Sequence, residues 1–453
     1  MIEEKNNVLC PFCGCLCDDG VVMVEDNKII GTRNLCRIGH KKFETSQHGR
    51  AESPRIRKNG KLVPVTLEEA FDKAAEILAN AERPLFYGWS ATSVEATQVG
   101  CMLTEACRGS IDCTAAICHA PSLEAVQDQG APLSTLGEVM NRADLIIYWG
   151  CNPMHAHPRH MSRYSVYPRG FFRRRGRKSR TIMVIDPRQT NTAKLADLHI
   201  QVSPASDHML VHTFREIINS YDVTHETVSG IPADAIRETV EAIGQHQWAI
   251  LFFGMGLTQQ MGKDMNIDVA ITLMHELNKY IGTKTTLMPM RGHFNVAGAN
   301  ITICAETGHP FAVDFSRGYP RYLPGETSAM DLLYRGEIDA MLNIGANPGT
   351  SFSNRALSHM AKIPLINIEP HNQQLLQLSD VVFSPAMVGI ECEGTAYRMD
   401  NVPIKLRKVV EPSENCLPDV VILSEILKRV NELKGKGSWS ECWGVQEGNG
   451  EVV

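Results

Sequence analysis

A chain of 453 residues exceeds one ordinary hydrophobic core, so two or more domains are expected, built in part from segments distant in sequence. A net charge of -6, from 45 basic and 51 acidic residues, excludes a general attraction to nucleic acid or to an anionic membrane. No apolar stretch approaches the ~20 residues that span a bilayer, and the opening MIEEKNN lacks the basic start and apolar run of a secretory signal. The protein therefore reads as cytoplasmic, and its fourteen cysteines as metal ligands or reduced thiols rather than a disulfide framework.

The cysteines are concentrated at the front. Cys10, Cys13, Cys15 and Cys17 fall within eight residues, and Cys36 follows in Asn34-Leu35-Cys36-Arg37-Ile38-Gly39. Cys10, Cys13, Cys17 and Cys36 give the order C-x2-C-x3-C…C, the four thiolates that a 4Fe-4S cluster needs. A structural zinc ion also accepts four thiolates, but zinc sites favour two C-x2-C pairs and the second pair is missing here. The pattern favours iron-sulfur and leaves Cys15 as a free thiol pointing away from the cluster.

Residues 66–80 predict a helix. Thr66 and Glu69 form a capping-box signature, and Leu67, Ala70, Phe71, Ala74, Ala75 and Leu78 fall on one face. Apolar runs at 84–88, 144–149, 181–185, 248–253, 339–344 and 364–368 read as strands, separated by helical patterns such as 267–281. Strands alternating with helices imply an α/β architecture with parallel sheets, whose ligands bind beyond the carboxyl ends of the strands.

Two regions are copies of each other. Residues 143–153, ADLIIYWGCNP, match 338–348, IDAMLNIGANP, and both end in G-x-N-P. Further on, Asp186 in IDPR corresponds to Glu369 in IEPH, and each is followed eleven residues later by an aspartate, Asp197 or Asp380. Two matched blocks in the same order predict two related α/β halves, each presenting a strand-end loop to a ligand. Gly150 and Gly345 let the backbone approach a phosphate or base. Asn152 and Asn347 both donate and accept, Pro153 and Pro348 end the strands, and Asp186 and Glu369 stand where acids accept from ribose hydroxyls or purine nitrogens. The halves differ in one respect: 36 positions separate Gly150 from Asp186 but only 24 separate Gly345 from Glu369. The basic run PRGFFRRRGRKSR at 168–180 fills that gap. It reads either as a solvated surface loop or as a dock for an acidic face of a partner subunit, with Phe171 and Phe172 as apolar anchors.

The cysteine motif, the G-x-N-P strand ends, VIDPRQTNTAKLAD (184–197), SPASDHML (203–210) and ECEGTAYRMDN (391–401) occur in an order that resembles the molybdopterin oxidoreductase superfamily over nearly the whole chain. That resemblance implies two molybdopterin guanine dinucleotides holding one tungsten or molybdenum. Their contacts would include Gly150, Asn152, Pro153, Asp186, Arg188, Asp207, Gly256 and Gly292, with Gly345, Asn347, Pro348 and Glu369. Cys118, in Ala115-Ala116-Ile117-Cys118-His119-Ala120, resembles the metal-binding cysteine of formate dehydrogenases; without this context it would read as a buried structural cysteine. His119 is its companion, able to move a proton or fix the substrate's other edge. Arg291, in a Gly-rich loop, resembles the arginine that grips formate through paired hydrogen bonds; the alternative is contact with a pterin phosphate.

Superfamily members usually continue into a C-terminal β-barrel domain, for which this chain has no room. A split of that kind, with the opening CPFCGCLCDD, the CRIG and the CHAPS of 118–122, resembles the B subunits of the formylmethanofuran dehydrogenases of methanogenic archaea. The resemblance implies reversible reduction of carbon dioxide to formate, the first step of methanogenesis from carbon dioxide. It also implies three kinds of partner: an amidohydrolase-like formyl-transferring subunit, a small β-barrel subunit completing the pterin site, and ferredoxin-like iron-sulfur subunits. The α subunit of a formate dehydrogenase and a non-catalytic scaffold of a formyltransferase complex are the rival readings. Many relatives carry a lysine at the position of Ile38, between cluster and pterin; Arg37, Lys41 or Lys42 is the candidate replacement. The expected division is a cluster domain at 1–55 completed by 390–430, one α/β domain from 56–115 and 325–390, another at 116–324, and a tail at 431–453.

Overall fold

The computed structural model describes residues 1–371 and 375–435. Each of the six predicted strands forms: Pro84–Gly88, Leu145–Trp149, Thr181–Ile185, Trp248–Phe253, Ala340–Ile344 and Leu365–Ile368. All are parallel to their neighbours and, apart from Thr181 and Trp248 at two outer ends, fully buried, which is why they read as unbroken apolar runs rather than alternating ones. The helix Leu67–Asn80 starts at the reciprocal Thr66–Glu69 capping box and buries Ala70, Phe71, Ala74, Ala75 and Leu78. The pattern at 267–281 becomes Lys263–Glu276 followed by a wider turn, Leu277–Ile281.

The repeat is a repeat of topology. A five-stranded parallel sheet runs Leu198–Ile200, Thr181–Ile185, Leu145–Trp149, Trp248–Phe253, Lys284–Pro289. Within a nine-stranded sheet the same order recurs as Val381–Phe383, Leu365–Ile368, Ala340–Ile344, Pro84–Gly88, Ser110–Cys113. The last two strands of this second half come before the first half in the chain, so the first half is inserted into the second. Matched aspartates tie the copies down. Asp197 Oδ2 accepts from the amide of Ile182 at 2.8 Å, and Asp380 Oδ2 from that of Leu365 at 3.0 Å. At the other strand ends Asp144 caps the amides of Gln247 and Trp248, and Asp339 those of Glu82 and Arg83.

The nine-stranded sheet gains two antiparallel edges. Arg55–Lys58 and Lys61–Pro64 extend one side, while Val313–Asp314 and Arg321–Tyr322 extend the other. The expected boundary at 324 therefore shifts. Helix Val296–Thr307 packs on helix Val94–Cys107 and Val313 pairs with Ile111, so residues 296–322 belong with the larger sheet. Two-residue strands and a helix with no polar face carry no periodicity that would have shown this. Helix Asp419–Leu433 likewise covers helices Leu67–Asn80 and Val94–Cys107 rather than completing the N-terminal unit, and it includes the first residues of the expected tail. The rest of that tail, 436–453, lies outside the described residues.

At the N-terminus, Glu3–Val8, Gly20–Glu25 and Lys28–Arg33 form an antiparallel sheet followed by helix Arg37–Thr45. Its apolar side shares a core with Ile146, Tyr148, Ile250 and Phe252 from one face of the five-stranded sheet and with Ile390, Met399 and Val409. The cysteine segment is thus pressed onto the first half. Among the described residues the sheets stay open, with no closed barrel, and no helix is long and apolar enough to cross a membrane.

The basic run is partly turned inward. Arg180 is buried and donates to the carbonyls of Val166, Pro168 and Met140; Arg173 pairs with Asp144 at 3.1 Å and Arg177 with Asp197 at 2.7 Å. Phe171 and Phe172, 68 % and 55 % exposed, pack edge to face at the surface.

Candidate active site and cofactor clefts

The loop Cys10–Cys17 closes on itself through the Cys10 amide, which donates to the Cys17 carbonyl at 2.9 Å. Cys36, distant in sequence, joins it as the N-cap of helix Arg37–Thr45, its Sγ accepting from the Gly39 amide at 3.3 Å. A Cβ on Gly39 would lie 3.0 Å from Cys10 Sγ and 3.8 Å from Cys36 Sγ, so the glycine keeps open the space that these sulfurs face. The charges of Cys13, Cys17 and Cys36 all bear on Cys10, and burial together with that repulsion holds the Cys10 thiol up. Thiols that raise one another in this way release their protons when a cationic centre binds them. Cys15 is buried rather than simply turned outward: it hydrogen-bonds Cys13 and lies 4.0 Å from His160 Nδ1.

Cys118 and Arg291 come from counterpart strands of the two halves. Cys118 follows Ser110–Cys113 through the tight turn Thr114–Ile117, and its carbonyl accepts from Thr258 Oγ1 and Gln259 Nε2, both at 2.9 Å. Burial raises its thiol to about 11, and the charge of Arg291 pulls the other way. Arg291 follows Lys284–Pro289 and is only 7 % exposed. Among the described residues no carboxylate pairs with it, its Nε has no partner, and Asn300 Oδ1 stands 3.5 Å from Nη1. A buried guanidinium without a counter-ion is costly in a purely structural role and well suited to an anionic ligand. His119 is buried beside them, with Nε2 3.3 Å from the Met290 carbonyl and Nδ1 3.3 Å from Ser122 Oγ.

The Arg291 backbone is clamped. His157 Nε2 donates to the Arg291 carbonyl at 2.8 Å, and the Gly14 amide donates to the Gly292 carbonyl at 3.1 Å. A Cβ on Gly14 would stand 2.4 Å from the Arg291 carbonyl oxygen, so the approach of the cysteine loop to this arginine requires glycine. Nothing lies within 4 Å of a Cβ built on Gly292, which leaves open space on that side.

In the repeated loops Gly150 and Gly345 have φ of 57° and 56°, a left-handed conformation that favours glycine. Their amides donate to Ile185 and Ile368 at 2.9 and 3.1 Å. Pro153 and Pro348 each begin a short helical turn. Asn152 Oδ1 accepts from Thr192 Oγ1 at 2.6 Å, and Asn347 repeats its backbone angles. Asp186, buried, accepts from the Arg188 amide at 2.8 Å, while the Arg188 side chain is largely in solvent. Gly256 packs backbone to backbone on Gly150, so protein contact by itself explains that glycine. Asp207 begins helix Asp207–Ile218, and its Oδ1 accepts from Trp149 Nε1 at 2.6 Å.

Beyond the second half opens a cavity of about 310 Å³ whose wall includes Gly345, Glu369, His371, Lys42, His293 and Asp419. Burial raises Glu369 to about 7. Lys42 lies over the Phe12 ring at 5.2 Å, and its charge acts on both Cys13 and Glu369, placing this cation between the cysteine loop and the cavity. Sequence reasoning misses His157, Asn300 and Asp419. The first sits just after a G-x-N-P turn and the last matches Asp207 at the start of a helix, signals too short to be read alone.

The family profile described as Molybdopterin oxidoreductase matches residues 50–429. The chain is 54 % identical over 436 residues to the B subunit of the tungsten-containing formylmethanofuran dehydrogenase 2 of Methanocaldococcus jannaschii, covering 96 % of this chain and 100 % of that one. It is 50 % identical to the protein of the same description from Methanococcus maripaludis, with the same coverage. Among solved structures, a chain of the formyltransferase/hydrolase complex of Methylorubrum extorquens, in complex with methylofuran, superposes with a TM-score of 0.67 at 18 % identity, over 84 % of this chain and 99 % of that one. The likeness to that complex is one of fold alone. The chain belongs to the molybdopterin oxidoreductase family and, within it, to the B subunits of formylmethanofuran dehydrogenases.

Proposed function

We propose that this chain is the catalytic subunit that reduces carbon dioxide reversibly to formate in a formylmethanofuran dehydrogenase complex. The observation that carries the reading is Arg291, buried without a carboxylate partner and within electrostatic reach of Cys118. Cys10, Cys13, Cys17 and Cys36 would hold a 4Fe-4S cluster, and Cys118 would ligate tungsten, favoured over molybdenum by the names of the relatives. Two molybdopterin guanine dinucleotides would lie along the strand-end loops, one at Gly150, Asn152 and Asp186, the other at Gly345, Asn347 and Glu369. When bound, the metal–pterin centre and cluster supply the two electrons that carbon gains.

The side chains do the rest. Arg291 holds the carboxylate of formate through parallel hydrogen bonds and stabilises the negative charge that develops on the oxygens of carbon dioxide. Its burial excludes water and strengthens that attraction. The His157 and Gly14 clamps fix its backbone, and His119 bounds the same space. Lys42 is the replacement for the family lysine between cluster and pterin. Formate would pass to an amidohydrolase-like subunit for condensation with methanofuran. A small β-barrel subunit and ferredoxin-like subunits would complete the assembly, and Phe171 and Phe172 offer one apolar contact for it.

The test uses the purified complex. Cys118→Ala should abolish carbon dioxide–formate interconversion while leaving assembly and the iron-sulfur signal of the N-terminal cluster in place. Normal activity with an unchanged metal spectrum in that variant would falsify the assignment.

A further inference from the structure

Arg50, Arg180 and Arg398 have largely buried side chains, like Arg291, and each is well supplied with acceptors. Arg50 pairs with Glu391 and donates to the Pro385 carbonyl. Arg398 holds Asp400 through two bonds at 2.7 and 2.8 Å, and Arg180 donates to three backbone carbonyls. Arg291 is different. Among the described residues its guanidinium meets one side-chain acceptor, Asn300 Oδ1, 3.5 Å from Nη1, and its Nε meets none.

Asn300 lies in helix Val296–Thr307, which packs on helix Val94–Cys107, and it is buried. Its Nδ2 donates to the Pro310 carbonyl at 3.0 Å and to Cys113 Sγ at 3.1 Å. A carbonyl only accepts, so the amide cannot turn over: its NH2 group must face Pro310, and its oxygen must face Arg291. Burial pushes the Cys113 thiol up to about 12, so the sulfur stays protonated at neutral pH. On this side Arg291 therefore faces neutral groups, one of them an oxygen of fixed direction. Such a partner orients a guanidinium without cancelling its charge, whereas a carboxylate would neutralise it and remove its attraction for an anion.

We infer that Asn300 is a positioning residue for Arg291: its locked amide aims the guanidinium from a helix, and its neutrality keeps the positive charge available to the substrate carboxylate. The inference rests on the reading that Arg291 grips formate. His157 and Gly14 fix the backbone around the arginine, and Asn300 fixes the far end of its side chain. A contact of 3.5 Å is long for a hydrogen bond, which suits a residue that directs the guanidinium and leaves most of its donors to the ligand.

Formate oxidation by the assembled complex, assayed with a viologen dye as electron acceptor, tests it in two variants. Metal content, the iron-sulfur signal and thermal unfolding check that each variant is intact. Asn300→Asp keeps the shape and adds a charge; Asn300→Leu keeps the branched shape and removes the oxygen. KM for formate should rise roughly tenfold in Asn300→Asp, the equivalent of one hydrogen bond to a charged group, and about threefold in Asn300→Leu, with kcat changed less than KM in both. A purely structural role would lower the unfolding temperature and leave the KM of the intact enzyme where it was. An intact Asn300→Asp complex with KM within about twofold of wild type overturns the assignment. If that variant fails to assemble, because its carboxylate would face the Pro310 carbonyl, Asn300→Leu decides alone: a raised KM supports the role and an unmoved one overturns it. Arg291→Met separates this role from the reading beneath it. A formate KM unmoved in Arg291→Met overturns the grip on formate and this assignment with it, whereas a KM raised there but unmoved in the Asn300 variants overturns the Asn300 role alone.

Discussion

The two halves of the molecule share a backbone and differ in what is packed against it. Gly150 and Gly345 agree within one degree in φ, and the amides of Asp186 and Glu369 each reach the next strand, at Ile200 and Phe383, at the same 3.2 Å. Around this common frame the side chains diverge. Gly256 presses on Gly150 where Ala91 faces Gly345, and Trp149 occupies the place of Ile344. The comparison teaches that the strand-end hydrogen bonds fix the backbone of the loop, while the adjoining side chains decide which polar groups each half satisfies from within.

The comparison breaks most readily at Trp149. Trp149→Phe should cost about 2–4 kcal/mol, because it opens space in the core and strands Asp207 Oδ1. Ile344→Val at the matching position should cost about 1 kcal/mol. Native-state hydrogen exchange of strands Leu145–Trp149 and Ala340–Ile344 measures both, and equal costs would show that the indole contact contributes nothing to the difference.

The glycines give a smaller contrast. Alanine at either Gly150 or Gly345 is strained by ~1–2 kcal/mol in the left-handed conformation. At Gly150 its Cβ would also stand 2.9 Å from the Gly256 backbone, whereas at Gly345 the nearest atom is the Ala91 Cβ at 3.2 Å. Gly150→Ala should therefore lower the melting temperature of the complex more than Gly345→Ala, and the reverse order would mean that the loops are not packed alike.

The smallest difference between the halves is expected at the matched aspartates, and it sharpens the likeness. Asp197→Ala and Asp380→Ala each remove one carboxylate bond to a strand amide, worth about 1–3 kcal/mol. Asp197 also loses its exposed pair with Arg177, which adds at most ~1 kcal/mol. Near-equal losses in exchange protection at Ile182 and Leu365 would fit the equivalence; a large imbalance would count against it.

Much of this was legible in the chain. The six buried strands, the Thr66–Glu69 cap and the G-x-N-P repeat are local signals, and local physics decided them: apolar runs too short for helices, an oxygen three residues before a glutamate, proline at a strand end. The cysteine spacing pointed to one cluster segment, and Cys36 joins it because it caps the helix beside the loop. The motif Cys118-His119 and the loop of Arg291 are legible only through family likeness, since nothing local says that two residues 173 positions apart come within electrostatic reach of one another.

What the amino-acid order determined by itself is the set of elements and the existence of two copies, because hydrophobic period and turn chemistry act over a few residues. Tertiary structure alone decided which strands complete each copy. Pro84–Gly88 pairs with Ala340–Ile344, more than two hundred residues later, and carries Ser110–Cys113 into the same sheet on its other side, and parallel pairing leaves no trace in local sequence. It also decided that residues 296–322 join the larger sheet, that His157 and Gly14 clamp Arg291, and that Asn300 turns its amide oxygen to that arginine. Burial and the choice of hydrogen-bond partner are properties of what surrounds a side chain, and those surroundings are assembled from segments distant along the chain.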